Sequence, residues 1–462
     1  MDLEINDFPN EILCKILSLL STEEKFRARE VCKRWREQVD TNVLFHIQLS
    51  DSTYNEVRQR FQMRRVASLQ IASLYSHSNI PIENLNSLRR LELVNDIGEE
   101  AFKDLFTRAA FLKRLKLNVL VESSWEEPNP NFPGNTYFPA LSNIKHLSIE
   151  VMRCEADLAT SLGACSVLID HNMHNVQSLT IKLSTGTLVI LQGLDYFRLA
   201  ASKANLRKFI FTRNPSLKMK PNSDVFLKDA LPISPTLSTA LRKLRLTHVK
   251  ADVMKIHEKA WEVLLSEQKH MKTLQLYSDS SCSQGISLSA VLPVIRKSWA
   301  SLHTIALEID INRSQSGGLD MDIFADLKSL RYLNIKSWSN KNVEFSQSTT
   351  VANTIPNVPK IYNCDAIITT TLRKLSIIGF KLTDVDFSNV MSKIGKLDMG
   401  KMEVTRNKMP SSARRNSGSW VRETGMNKGI KVGSHYYYLP FPRSWESSHA
   451  PNLESMLTLI TI

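Results

Sequence analysis

Cysteine is scarce and scattered, with six in 462 residues at positions 14, 32, 154, 165, 282 and 364. There is no Cys-x-x-Cys pair and no paired Cys/His tract, which excludes a disulfide framework and a zinc-bound RING and points to a reducing compartment. The start, Met1-Asp2-Leu3-Glu4-Ile5, lacks the basic end and apolar run of a secretory leader. The longest apolar candidate, Leu158 to Ile169, ends at Asp170 and falls short of the ~20 residues that span a bilayer. Gly-rich phosphate loops are missing too: Gly317-Gly318 has no following Lys-Ser/Thr. No Gly-x-Ser-x-Gly elbow and no His-x-x-x-His occurs, and His171 and His174 have no carboxylate at useful spacing. These absences lead us to expect an intracellular chain, cytoplasmic and/or nuclear, with no catalytic residue, metal or cofactor.

What is present is positive charge and periodic apolar residues. Lys and Arg number 59 against 46 Asp and Glu, a net charge of +13 and a pI near 9.4, so acidic partners must be considered. Apolar residues make up 42% and charged residues 23%, the balance of a folded protein. One pattern, apolar-x-x-apolar-x-apolar, recurs along most of the chain. It runs through Val66/Leu69/Ile71, Leu88/Leu91/Leu93, Leu112/Leu115/Leu117, Ile144/Leu147/Ile149, Val176/Leu179/Ile181 and Leu206/Phe209/Phe211. It continues at Leu241/Leu244/Leu246, Met271/Leu274/Leu276, Leu302/Ile305/Leu307, Leu330/Leu333/Ile335, Leu372/Leu375/Ile377 and Ile394/Leu397/Met399. First to last starts span 328 residues over eleven intervals, a mean close to 30.

The final apolar-x-apolar of each copy predicts a short strand with one buried face. Between strands, Ala101/Phe102/Leu105/Phe106/Ala109 and Ala260/Trp261/Leu264/Leu265 have helical spacing. Thr383 with Asp386 is a weak capping box that opens a further run. A strand plus a helix, too small to fold alone, buries its core by stacking on its neighbours. Over residues 66–400 this resembles the leucine-rich-repeat solenoid, an α/β fold of about twelve irregular repeats. The family's Asn or Cys, three residues after the last strand Leu, is replaced by Asp96, Leu120 or Val249, so its polar ladder is missing.

Residues 8–36 carry a second signal. Pro9 suits a first helical turn, and Ile12, Leu13, Ile16, Leu17 and Leu20 form an apolar stripe behind it. Ser21 with Glu24 is a capping box that restarts a helix, followed by Phe26, Val31, Cys32 and Trp35 among five basic residues. Fewer than ~40 residues rarely fold unaided, so this many large apolar side chains read as half of an interface. Phe8-Pro9, Glu11-Ile12-Leu13 and Val31-Cys32-Lys33-Arg34-Trp35 together resemble the F-box, with Phe8 in place of the family's Leu. The resemblance implies docking on the Skp-type adaptor of a cullin–RING ubiquitin ligase. It implies that Phe8, Pro9, Ile12, Leu13, Ile16, Leu17, Leu20, Val31, Cys32 and Trp35 form the adaptor-binding set.

Basic pairs precede or open many of the repeats: Arg89-Arg90, Lys113-Arg114, Arg207-Lys208, Arg242-Lys243 and Arg373-Lys374. Stacked at ~4.8 Å, Arg90, Arg114, Lys116, Lys208, Lys243, Arg245 and Lys374 would line a target-binding face for an acidic or phosphorylated protein. From Lys401 to Glu446, nine Lys/Arg face three Asp/Glu, with Arg414-Arg415-Asn416-Ser417 similar to a kinase site. The expected organisation is an F-box at 1–48, a linker at 49–65, the solenoid at 66–400, a basic flexible insertion at 401–446 and a terminal cap or degenerate repeat at 447–462. The function implied by the two resemblances is a non-catalytic adaptor that presents a protein target for ubiquitination. Its rival is a basic scaffold for an acidic partner or nucleic acid, with the F-box vestigial.

Overall fold

The computed structural model describes residues 8–74, 76–94, 99–121, 139–154, 173–183, 195–213, 232–253, 257–278, 287–309, 318–337, 360–367, 371–378, 380–382, 401–405, 429–432 and 435–438. The chain divides into two compact units, Met1–Lys218 and Met219–Ile462.

The first unit opens with three helices, α1 (Asn10–Leu19), α2 (Thr22–Val31) and α3 (Lys33–Thr41). Ser21 caps α2: its hydroxyl accepts the Glu24 amide while the Glu24 carboxylate accepts the Ser21 amide at 2.8 Å. This reciprocal pairing holds the Glu24 carboxyl below the usual range, chiefly through the Ser21 backbone bond. Seven parallel strands follow, each paired with the next: β1 (Phe45–Ser50), β2 (Val66–Ser73), β3 (Arg90–Leu93), β4 (Arg114–Val121), β5 (His146–Cys154), β6 (Ser178–Leu183) and β7 (Lys208–Arg213). Alternation sends Phe45, Ile47, Leu49, Leu69, Leu91, Leu115, Leu147, Leu179 and Phe209 into the core.

Residues 49–65 are not a linker. The end of β1 and the helix α4 (Tyr54–Phe61) occupy them, and β1 pairs in parallel with β2, so the array begins twenty residues before the first copy of the pattern. Phe26 of α2, Phe45 of β1 and Phe61 of α4 form a three-ring cluster, with centroids 5.4–5.7 Å apart. The guanidinium groups of Arg60 and Arg64 lie 4.6 and 4.7 Å from the Phe26 ring centre. Buried Lys25 donates to the Leu44 carbonyl at 3.2 Å, and Thr22 donates to the His46 carbonyl at 3.1 Å. The helices and the first repeat therefore share one core.

In the second unit, β8 (His248–Val253), β9 (Thr273–Ser278), β10 (Thr304–Ile309), β12 (Tyr332–Ser337), β14 (Lys374–Ile378), β16 (Lys401–Thr405) and β17 (Gly429–Val432) continue the parallel pattern. β18 (His435–Tyr438) pairs antiparallel with β17. Strands thus occur within 401–446, where a flexible insertion was expected. A separate parallel sheet joins β11 (Gly318–Asp320), β13 (Lys360–Tyr362) and β15 (Lys381–Leu382). A Cβ at Gly318 would lie 2.5 Å from the Tyr362 ring and 2.8 Å from the Lys360 carbonyl, so glycine is required there.

The copy at Leu241/Leu244/Leu246 is not a strand. Ser234 caps, and Pro235 opens, a helix over Pro235–Lys243 that buries Leu241 and places Arg242 and Lys243 in its last turn, where cations suit the helix dipole. The strand begins at His248 instead. Thr383, Asp386, the copy at Ile394/Leu397/Met399, Ser417 and residues 447–462 lie outside the described residues.

A polar ladder does exist, at a different position from the family's. Three residues ahead of a strand, Ser87, Asn143 and Asn175 in the first unit donate to the carbonyls of Val66, Ala110 and Ser142 at 2.8–3.1 Å. Ser301, Ser329 and Thr371 in the second unit do the same to Met271, Ala300 and Lys328, at 2.8–2.9 Å. Each bond ties one turn to the turn before it.

Candidate protein-docking surfaces

In α1 the apolar residues divide between two faces. Leu13 and Leu17 are fully buried within the helical bundle, so the bundle's own packing uses them and they are not offered to a partner. Ile12 is 38% exposed and Leu19 87% exposed, with Ile16 half-buried between them. At 100° per residue, 12, 16 and 19 fall within ~60° of one another. Pro9 is exposed, and Phe8 and Leu20 are half-buried. Val31, at the end of α2, is 60% exposed. Leu19, absent from the expected set, is the most exposed of these residues; its i+7 relation to Ile12 was the signal that could have found it.

Polar bonds set this surface. The Arg34 guanidinium donates to the Asn10 side chain at 3.0 Å and to the Phe8 carbonyl, fixing the Phe8-Pro9 turn on α3. The Cys14 thiol donates to Gln38 Oε1 at 3.0 Å, and Asn42 donates to the same oxygen at 2.8 Å. Burial, then the Glu11 carboxylate, pushes the Cys14 thiol pKa up, so it stays protonated. Half-buried Cys32 caps α3, its sulfur accepting the Trp35 amide at 3.5 Å, with Trp35 itself half-buried.

On the solvent side of the first unit's sheet, register aligns His46, Ser68, Arg90, Arg114, His146, Ser178 and Lys208 in one row. Arg89, Lys113, Lys145, Gln177 and Arg207 form the adjoining row, their amides donating strand to strand: Lys113 to the Arg89 carbonyl, Lys145 to Lys113, Gln177 to Lys145 and Arg207 to Gln177. Farther along the strands the charge is internally balanced. Lys116 pairs with Glu92 at 2.7 Å and Glu150 at 3.1 Å, and Lys182 pairs with Glu150 at 2.7 Å. These carboxylates raise the Lys116 pKa despite its partial burial. Lys116 is therefore part of an alternating ion-pair chain across four strands rather than a free cation of the expected basic face.

Lys243 is in a helix and Arg245 in the turn after it, so neither joins a strand row. Lys374 opens β14, but the matching positions of the second unit are His248, Thr273, Thr304 and Tyr332, and the row is not basic. Among the described residues, no group of three or more His, Cys, Asp or Glu is placed to hold a metal ion. No described helix is long and apolar enough to cross a membrane.

Residues 5–47 match the family model of the F-box domain. Comparison with curated proteins finds no match. Among solved structures, the TLR13–ssRNA13 complex is 13% identical with a TM-score of 0.34, covering 86% of this chain; this chain spans only 55% of that one. A leucine-rich-repeat protein of Leptospira interrogans is 12% identical with a TM-score of 0.30, covering 84% of this chain and 97% of its own. Overlays this loose bear on neither fold nor partner. The repeat assignment rests on strand register and the periodic buried core of the chain itself.

Proposed function

The chain is an F-box/leucine-rich-repeat protein, and from that premise we propose that it is a non-catalytic substrate adaptor of a ubiquitin ligase. Its F-box docks on a Skp-type adaptor, and its repeats present a protein target. The observation that carries this reading is the F-box match at residues 5–47 together with an apolar surface inside it, where Ile12, Leu19 and Val31 stand exposed beside the pinned Phe8-Pro9 turn. Apolar side chains at such exposure lose free energy in water that a partner's surface restores, at ~25 cal/mol per Å².

The mechanism is proximity. The adaptor and its cullin hold a ubiquitin-charged enzyme near a target bound to the repeats, which raises effective concentration without chemistry from this chain. The core shared by the F-box helices and the first repeat supports this: a target held by the repeats is held rigidly with respect to the F-box.

Co-expression with a Skp-type adaptor tests the proposal. Wild-type chain co-purifies with the adaptor, and an Ile12→Asp, Leu19→Asp variant does not, while keeping its melting temperature. Leu13→Asp is the unsuitable probe, because a buried carboxylate there disrupts the bundle itself. Wild-type chain that stays soluble and ignores the adaptor would overturn the reading.

A further inference from the structure

Resting on the reading that the repeats hold a protein, we propose that the leading edge of the first unit's sheet, formed by Arg90, Lys113, Arg114, Lys145 and Lys208, binds an extended acidic stretch of that protein. All five side chains are exposed, and among the described residues none has a carboxylate partner. The contrast lies on the same sheet, where Glu92, Lys116, Glu150 and Lys182 neutralise one another. Positive charge is thus confined to the strand starts.

The geometry matches an extended chain. From β3 to β7, four inter-strand steps of ~4.8 Å give about 19 Å, the reach of roughly six extended residues. Two adjoining rows of cations let successive carboxylates find partners on either side. Burial, then Arg114, Lys208 and Lys145, lowers the pKa of His146 within this strip, and burial, then Lys25 and Arg90, lowers that of His46 at its end. The strip therefore presents a field that favours anions.

An acidic peptide fits better than nucleic acid. Base stacking needs aromatic platforms, and the large exposed apolar residues of the described first unit include one ring, Phe111. The Arg89 guanidinium already covers that ring at 5.2 Å. Backbone phosphates would meet the cations, but their bases would meet nothing.

Fluorescence anisotropy on the full chain at low ionic strength tests this with labelled hexaglutamate, hexaglutamine and hexathymidylate. Hexaglutamate binds, hexaglutamine does not, and hexathymidylate binds more weakly than hexaglutamate. Arg90→Glu, Arg114→Glu, Lys208→Glu weakens hexaglutamate binding at least tenfold. An equal reversal in the second unit, Lys259→Glu, Lys269→Glu, Lys297→Glu, changes it less than twofold. Equal loss in both variants would reduce the effect to net charge and overturn the proposal, as would tighter binding of hexathymidylate. The first triple variant still co-purifies with the Skp-type adaptor, whereas Ile12→Asp, Leu19→Asp keeps the peptide and loses the adaptor. Failure of the peptide site is thereby separated from failure of the F-box.

Discussion

His146 stands at the start of β5, in register between Arg114 and Ser178, with Lys208 one strand farther on. Burial first, and these cations second, hold its imidazole pKa below the ordinary value. The folded form therefore binds fewer protons than the unfolded one just below pH 6.5, and the stability this residue contributes falls as pH drops through that window. In a proton NMR titration, His146 should show a midpoint below 6.5 that moves upward in Arg114→Gln. An unmoved midpoint would mean that the cations do not reach it. The same scale separates Ile12 from Leu13. They are neighbours in sequence, yet one side chain faces solvent and the other the bundle core, because 100° of helical rotation lies between them. An adaptor-binding set drawn from apolar residue type alone joined the two faces.

The turns that lead into the strands carry the array's element-scale bonds. The family's Asn position, after the strand, holds Asp96, Leu120 or Val249, and the absence of a ladder there was legible. The substitute was not, because Ser87, Asn143, Asn175, Ser301, Ser329 and Thr371 are of three residue types and precede the strand. Only stacking brings their side chains to the carbonyls of the turn before. Asn143→Ala and Asn175→Ala should each lower stability by about 1 kcal/mol in urea titration, the net worth of one such bond. The double variant should cost about the sum if the two turns act independently. The Leu241 copy teaches a related point. A Ser-Pro start at 234–235 claims its first Leu for a helix, and the strand shifts to Val249, Ala251 and Val253.

At the scale of the molecule, the F-box helices and the repeats are not separable at residue 48. Phe45 is fully buried between Phe26 and Phe61, so a chain starting at residue 43 would expose the face of the first repeat. It should aggregate, or melt well below the full chain, in a light-scattering and thermal-unfolding comparison. Phe45→Ala in the full chain should cost about 3–5 kcal/mol, as other buried aromatic truncations do. A 43–462 fragment that melts like the parent would refute the shared core.

By itself the sequence determined the class of fold and the docking motif. Period-two apolar triplets spaced near 30 residues permit little but stacked strands, and Phe8-Pro9 with Val31-Cys32-x-x-Trp35 marks the F-box, because both signals are local and survive in one dimension. Tertiary structure alone decided which apolar residues remain for a partner and which cations remain unpaired. Lys116 and Arg114 are two residues apart and alike in sequence, yet Glu92 and Glu150 reach Lys116 from neighbouring strands and leave Arg114 exposed without a carboxylate partner among the described residues. Pairing across strands 24 to 34 residues apart depends on register, which the chain acquires only when the repeats stack.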